Sequence, residues 1–282
     1  MEDIYTKYRP YLFSVAYNIL GEIQEAEDLV QDAFVEVLKM ERGEVKNIKP
    51  YLTRVVANKS IDRLHALKKQ RELYPGTWLP EPLITPTEGS HQEGILQYEV
   101  LHALDQLNPT ERAAFVLRTA FDYPYQELAQ ICNTSEANCR QLVSRSRQKV
   151  ADEVKTSPPH TADQQPLQQL MEAFLQSCAE GNPEQLTRLL KKDIALYSDG
   201  GGKAAAALNV LYGHEVVSKF LIGVTRKKLE QQLTLQQLKV NNLPAVLFSV
   251  NGVPDSLLYI NRDGSLLSQI FIMRNPDKII LQ

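Results

Sequence analysis

From Ala137 to Ala151 the chain carries Arg140, Arg145, Arg147 and Lys149 without one acid among them, and Gln141 and Ser144 stand in the same turns. Arginine can grip guanine through two hydrogen bonds, glutamine can do the same with adenine, and the remaining cations can hold phosphates. The chemistry on offer is recognition of a nucleic acid; an ordinary solvated basic helix is the plainer alternative. Upstream, Met1–Glu44 holds ten acids against four bases, whereas Val45–Arg71 holds eight bases against Asp62 alone. One small module should therefore present two faces of opposite sign, although a net charge of −3 and a pI near 6.0 do not advertise a nucleic-acid partner. Asp199, His214 and Asp255 are acid–base candidates but form no convergent dyad, so no catalytic residue is assigned. The three cysteines, Cys132, Cys139 and Cys178, make no CxxC pair and have no histidine at zinc-finger spacing. Neither a disulfide framework, a structural metal nor a cofactor is expected.

These groups need elements to position them. Gln126–Cys132 reads as a short helix, Asn133 as a residue able to take the left-handed turn, and Ser135 as the cap of a helix through Val150. That is a helix-turn-helix pattern. Ahead of it lie an apolar stripe, Ile95, Tyr98, Leu101, Leu104 and Leu107, and a helix start at Asn108-Pro109-Thr110-Glu111. Further upstream a first helix carries Tyr8, Leu12, Val15, Ala16, Ile19 and Leu20 and ends at Gly21. A second buries Ala26, Leu29, Val30, Ala33, Phe34, Val37 and Leu38, with acids on its other faces. Pro50 suits the first turn of a third, which runs through Leu52, Val55, Val56, Ile61, Leu64 and Leu67.

Between the two basic segments lies Trp78-Leu79-Pro80-Glu81-Pro82-Leu83, which contains the only tryptophan. Its prolines fix φ and remove donors, so it should be an extended strap, and its apolar side chains call for cover. Residues 74–94 and 156–165 are linkers by composition. After the second the pattern changes to helices at Leu167–Leu175 and Glu184–Leu190, a strand at Ile194–Tyr197, a loop at Asp199–Lys203 and a helix over Val216–Ile222. Strands at Leu233–Val240, Val246–Val250, Leu257–Ile260 and Leu267–Met273 then suggest an antiparallel meander in a compact α+β domain. No stretch reaches the length of a membrane span, so a soluble, cytoplasmic protein with no membrane partner is expected.

Ile4–Arg71, through Ala26–Phe34 and Tyr51–Asn58, and Leu104–Val150, through Leu107–Arg112 and Arg140–Arg147, resemble the two modules of extracytoplasmic-function bacterial sigma factors. The remainder is similar to a SnoaL-like domain of the nuclear-transport-factor-2 superfamily, and the runs WLPEPL, DGGGK (Asp199–Lys203) and NPDK (Asn275–Lys278) resemble signatures of sigma factors fused to it. The implied architecture is a helical sigma-2 module (1–73), the strap linker, a helix-turn-helix sigma-4 module (95–155) and an α+β cone (166–282). Departures are slight. Asn133 stands where glycine is usual, and Cys132 and Cys139 where aliphatic residues are usual.

The resemblance implies binding to core RNA polymerase, through its β and β′ subunits, and to promoter DNA. It assigns Asp28, Gln31 and Asp32 to polymerase. Asn58, Lys59, Asp62, Arg63, Lys68, Lys69 and Arg71 would capture the melted −10 element, with a specificity loop near Glu44–Lys49. Arg140, Gln141, Ser144, Arg145 and Arg147 would read the −35 duplex. The strap (Trp78, Leu79, Pro80, Glu81, Pro82, Leu83), the loop (Asp199, Gly200, Gly201, Gly202, Lys203) and the tail (Asn275, Pro276, Asp277, Lys278) would regulate in cis, and the cone would offer a pocket for a small molecule. Two other readings stay open: a helix-turn-helix repressor with a ligand-sensing domain, and an enzyme fused to a DNA anchor.

Overall fold

The computed structural model describes residues 2–39, 47–85, 94–154 and 164–280. Residues 44–46 of the expected specificity loop and 156–163 of the second linker lie outside them. The chain divides into two compact units, Met1–Leu73 with Ser90–Val154, and Tyr74–Gly89 with Lys155–Gln282. The strap thus packs with the C-terminal unit.

In the first unit α1 (Glu2–Leu20), α2 (Ile23–Leu38) and α3 (Ile48–Arg71) pack around Leu12, Val15, Ala16, Val30, Phe34 and Val56. Gly21 stops α1 with φ at 75° and donates to the Tyr17 carbonyl. Leu38 departs from the expected stripe. It is 59% exposed, because it lies one residue past Val37 and turns toward the face shared with Val35. The stripe from Ile95 to Leu107 is not one helix either. It contributes α4 (Tyr98–Ala103) and a 3-10 turn over Leu104–Gln106, because Pro109 holds Asn108 extended, with ψ at 162°. Asn108 and Glu111 then close a reciprocal capping box on α5 (Pro109–Ala120) at 2.9 and 3.0 Å. Two further helices, α6 (Tyr125–Ile131) and α7 (Glu136–Val154), complete the unit.

The second unit contains β1 (Ile84–Thr85) directly after the strap, α8 (Gln164–Glu180), α9 (Pro183–Leu189), β2 (Leu190–Asp199), β3 (Leu211–Tyr212) and α10 (His214–Leu229). It ends with β4 (Leu233–Val240), β5 (Leu243–Val250), β6 (Val253–Asp263) and β7 (Leu266–Met273). Among the described residues these strands form one sheet in the order β1-β4-β5-β6-β7-β2-β3. The meander β4 to β7 is antiparallel, and β2 joins β7 in parallel. Asn241-Asn242 and Asn251-Gly252, all at positive φ, make the tight turns flanking β5. Alternate strand residues meet Phe174, Val217 and Leu221 in a core between sheet and helices. What the sequence did not announce is β1: Ile84 and Thr85 pair with Val240 and Lys239, so the two residues after the strap add an edge strand.

Candidate nucleic-acid interface

The basic helix α7 is the second half of a helix-turn-helix. Asn133 takes φ of 48°, Ser135 Oγ accepts from the Asn138 amide at 3.2 Å, and Leu128, Ile131, Cys139 and Val143 are buried between α6 and α7. The small thiol of Cys139 fills an apolar site, and burial pushes the Cys132 thiol up to about 12, so both stay protonated and inert. Arg140, Gln141, Ser144, Arg145 and Arg147 are all exposed. Helical spacing puts Arg140, Ser144 and Arg147 along one groove, beside Tyr125 and Ala151. Tyr125 is a contributor the sequence reading missed. Its ring lies 5.0 Å from the Arg140 guanidinium and 5.1 Å from that of Arg118, which orients both cations. Lys149 points elsewhere, pairing with Glu111 at 2.9 Å and fastening α7 to the cap of α5. That pairing, with the Asn108 amide, more than offsets burial and holds the Glu111 carboxyl below its usual range.

The expected opposition of an acidic and a basic face is largely internal. Lys59 pairs with Glu36 at 2.7 Å, Arg63 with Glu25 at 2.5 Å and Arg71 with Glu22 at 2.7 Å, a ladder between α3 and α2. Lys68 and Arg71 also reach toward the segment before α5. Lys68 Nζ donates to the carbonyls of Asp105 and Leu107, each at 2.7 Å, and Arg71 meets Asp105 at 3.2 Å. The Arg71 side chain is only 9% exposed. Burial lowers the Lys68 pKa despite the pull of Asp105. Lys68 and Arg71, expected to be open to DNA, are engaged by protein here, because carboxylate and carbonyl acceptors lie within reach as α3 ends. Beside them Arg112 is fully buried, and burial lowers its pKa to about 9. Its Nε donates to the Asn18 carbonyl at 3.1 Å, tying α5 to α1. Asn58 is half-buried, whereas Asp62 and Lys69 are exposed. On α2, Asp28, Gln31 and Asp32 are exposed on a face that Val35 (46% exposed) and Leu38 extend. Those two side chains add an apolar part that pattern alone assigned to the core or left unmarked.

In the second unit the strap, loop and tail signatures meet at Asp199, whose side chain is fully buried. Asp199 Oδ1 accepts from Tyr74 Oη at 2.6 Å and the Gly201 amide at 2.9 Å, and Oδ2 from the Leu79 amide at 2.9 Å and Lys278 Nζ at 2.8 Å. Lys278 Nζ also donates to the Leu79 carbonyl at 2.7 Å and lies 4.5 Å from the centre of the Trp78 ring and 4.9 Å from that of Tyr74. The Asn275 amide nitrogen donates to Tyr74 Oη at 2.9 Å. Burial, then the Asp199 carboxylate, raises the Tyr74 pKa well above its usual value. Gly201 and Gly202 have positive φ, and a Cβ on either would strike Asn275 or Pro75 respectively, so the glycines permit close approach. Lys203 pairs with Asp277 at the surface, and Pro276 is exposed.

Leu79 and Leu83 are buried with Pro80 and Pro82, while Trp78 and Glu81 are half-buried. The buried anchor is thus Leu79 more than Trp78, because Asp199 and Lys278 grip its two backbone groups. Asn241, buried at the β4–β5 turn, holds both backbone groups of Leu83: its Oδ1 accepts from the Leu83 amide at 3.1 Å, and its backbone N–H donates to the Leu83 carbonyl at 2.8 Å. The sequence reading missed Asn241 and Tyr74; a buried asparagine in a turn carries no signal of a distant strap. Asp255 is held by two cations, Lys228 and Arg274, and Asp199 by one, Lys278, so both of these acid–base candidates are engaged in ion pairs. Among the described residues no acid, histidine and cysteine cluster could hold a metal, and no helix is long and apolar enough to cross a membrane.

Comparison with known proteins matches residues 4–71 to Sigma-70 region 2 and residues 97–150 to Sigma-70, region 4. The chain is 30% identical over 287 aligned residues to the ECF RNA polymerase sigma factor SigJ of Mycobacterium tuberculosis, covering 96% of this chain and 90% of SigJ. It is 25% identical to the probable ECF RNA polymerase sigma factor SigI of the same species, covering 96% of this chain and 92% of SigI. The crystal structure of Mycobacterium tuberculosis SigJ superposes with a TM-score of 0.79 at 27% identity, over 99% of this chain and 98% of that one. Helical sigma-2 and sigma-4 modules followed by a C-terminal α+β sheet domain, as expected from the sequence, are what is found. Similarity to a sigma factor along nearly the whole length of both chains decides between the readings left open above, and the chain belongs to the extracytoplasmic-function family of RNA polymerase sigma factors, which bind core RNA polymerase and promoter DNA to direct transcription initiation.

Proposed function

We propose that this sigma factor is regulated in cis by its C-terminal cone, which holds the strap joining its two DNA-reading modules. One observation carries the reading: Asp199, at the end of β2, and Lys278, in the 3-10 turn Pro276–Lys278 that follows β7, grip both backbone groups of Leu79. The chain leaves α3 at Arg71 and enters this grip at Tyr74, so a strap bound to the cone constrains the path of the chain between the −10 and −35 readers. In this reading Arg140, Gln141, Ser144, Arg145 and Arg147 contact the −35 duplex. Asn58, Asp62 and Lys69 contact the −10 strand at once, and Lys59 and Arg63 join them on leaving Glu36 and Glu25. Lys68 and Arg71 reach DNA only after leaving Asp105 and the Leu107 carbonyl. Asp28, Gln31 and Asp32, with Val35 and Leu38, form a mixed acidic and apolar surface for the β and β′ subunits of the polymerase. The cone also takes a small-molecule ligand.

The test is transcription in vitro by core polymerase with the full chain or a chain lacking residues 166–282, on promoters of varied −35 to −10 spacing. The truncated chain is expected to change the output and broaden the accepted spacing, and Trp78→Ala to mimic part of that change. Equal output and spacing preference from the full and truncated chains would remove the cone from control.

A further inference from the structure

In the second unit α8 and α10 cover one face of the sheet incompletely and leave a cavity of about 490 Å3, a size typical of small-molecule sites. Strand register sets Leu235 beside Phe248 and Leu258 beside Ile272, so its floor is apolar, and Phe174 of α8 and Val224 of α10 wall it. One part of the lining is charged. Lys228 Nζ donates to Asp255 Oδ2 and, at 3.0 Å, to Ser256 Oγ, while Arg274 Nη2 donates to Asp255 Oδ1 at 2.8 Å. Two cations therefore share one carboxylate, leaving an excess positive charge beside an apolar chamber. The three side chains are 15–21% exposed, so water screens that charge weakly. Arg274 Nε is buried and has no hydrogen-bond partner among the described residues. Burial lowers the Lys228 pKa, and Arg274 lowers it further, against the attraction of Asp255. Burial alone would raise the Asp255 carboxyl, but Lys228 and Arg274 hold it below its usual range, so it stays ionised and its single charge is already shared.

A buried excess charge is stabilised by a counter-charge, and a chamber of this lining is stabilised by an apolar occupant. One molecule supplies both. We propose that the cavity binds an amphipathic monocarboxylic acid, with its apolar body against Leu235, Phe248, Leu258 and Ile272 and its carboxylate on Arg274 and Lys228. The proposal specifies the ligand of the cone named above and rests on that reading for its regulatory consequence alone. Binding is measured on the full chain without polymerase, so failure here leaves the truncation result untouched, and the reverse holds too.

The probes are decanoate, decan-1-ol and butanoate, titrated calorimetrically. Decanoate is expected to bind saturably with a dissociation constant below about 1 mM, and the alcohol and the short acid each about tenfold more weakly or worse. Arg274→Gln should weaken decanoate about tenfold and leave decanol unchanged. Equal affinity for decanoate and decanol in the unaltered protein would overturn the assignment of the cations. Absence of saturable decanoate binding up to about 1 mM would overturn the site itself. Both of these results come from the unaltered chain, so misfolding of the variant cannot mask them.

Discussion

Replacing Lys278 by methionine removes the cation at the centre of the strap's anchorage while keeping an apolar stem of similar length. Lys278 is 7% exposed, its partner Asp199 is fully buried, and the ammonium also serves the Leu79 carbonyl and two aromatic rings. Breaking a buried ion pair by deleting one partner costs about 3–5 kcal/mol, most of it from the charge left behind. Asp199 would keep three donors, Tyr74 Oη and the amides of Leu79 and Gly201, which compensate part of its charge. The loss should therefore fall near the low end, about 3 kcal/mol, a drop of about 1–3 M in urea midpoint. Asp199→Asn alone leaves the lysine charge buried and should cost a similar amount. The double variant should cost less than the sum by about 1–3 kcal/mol, because neither charge is then stranded. Urea titrations followed by circular dichroism and by the fluorescence of Trp78, the only tryptophan, measure both unit stability and strap release. A loss below about 1 kcal/mol for Lys278→Met, or additivity of the two variants within about 0.5 kcal/mol, would refute the argument that the pair pins the strap.

In the −35 reader, Arg140→Ala or Gln141→Ala should cost about 1–3 kcal/mol on the preferred sequence and relax discrimination at one position, measured by binding of the holoenzyme to promoter variants. Arg147→Ala, if it meets a phosphate, should weaken all sequences alike and flatten the dependence on salt, and a sequence-selective loss would move it to a base edge. His102 is buried, and burial depresses its pKa below the ordinary 6.5 against the attraction of Glu153 and Asp105. The unfolded chain then binds the proton first, so stability is complete above about pH 6.5 and is lost as pH falls toward the folded value. Urea midpoints of the first unit should decline from about pH 7 to about pH 5, and His102→Gln should flatten that decline; an unchanged slope would place the titration elsewhere.

The helix-turn-helix was legible in the sequence because its signals are local. A capping Ser135, a left-handed Asn133 and a basic run free of acids act within a few residues of one another, and the structure keeps each. The capping box at Asn108 and Glu111 was legible for the same reason. Leu38 shows where periodicity stops, since a pattern gives the apolar face of a helix but not how far the neighbours extend along it. Charge counts likewise gave the sign of α2 and α3 without saying that Glu22, Glu25 and Glu36 face Arg71, Arg63 and Lys59.

From the sequence alone it follows that WLPEPL is stiff, apolar and in need of cover, and that three glycines after Asp199 allow some backbone to approach closely. Which surface covers the strap is a long-range fact. Tyr74, Leu79, Asp199 and Lys278 are separated by up to about two hundred positions, and only the parallel pairing of β2 with β7 brings Asp199 beside the tail. The same holds for Leu83 and Asn241, 158 positions apart, and for the two cations that share Asp255. Local propensity acts over a turn or two of chain, whereas a buried charge finds its partner only when the sheet has closed around both.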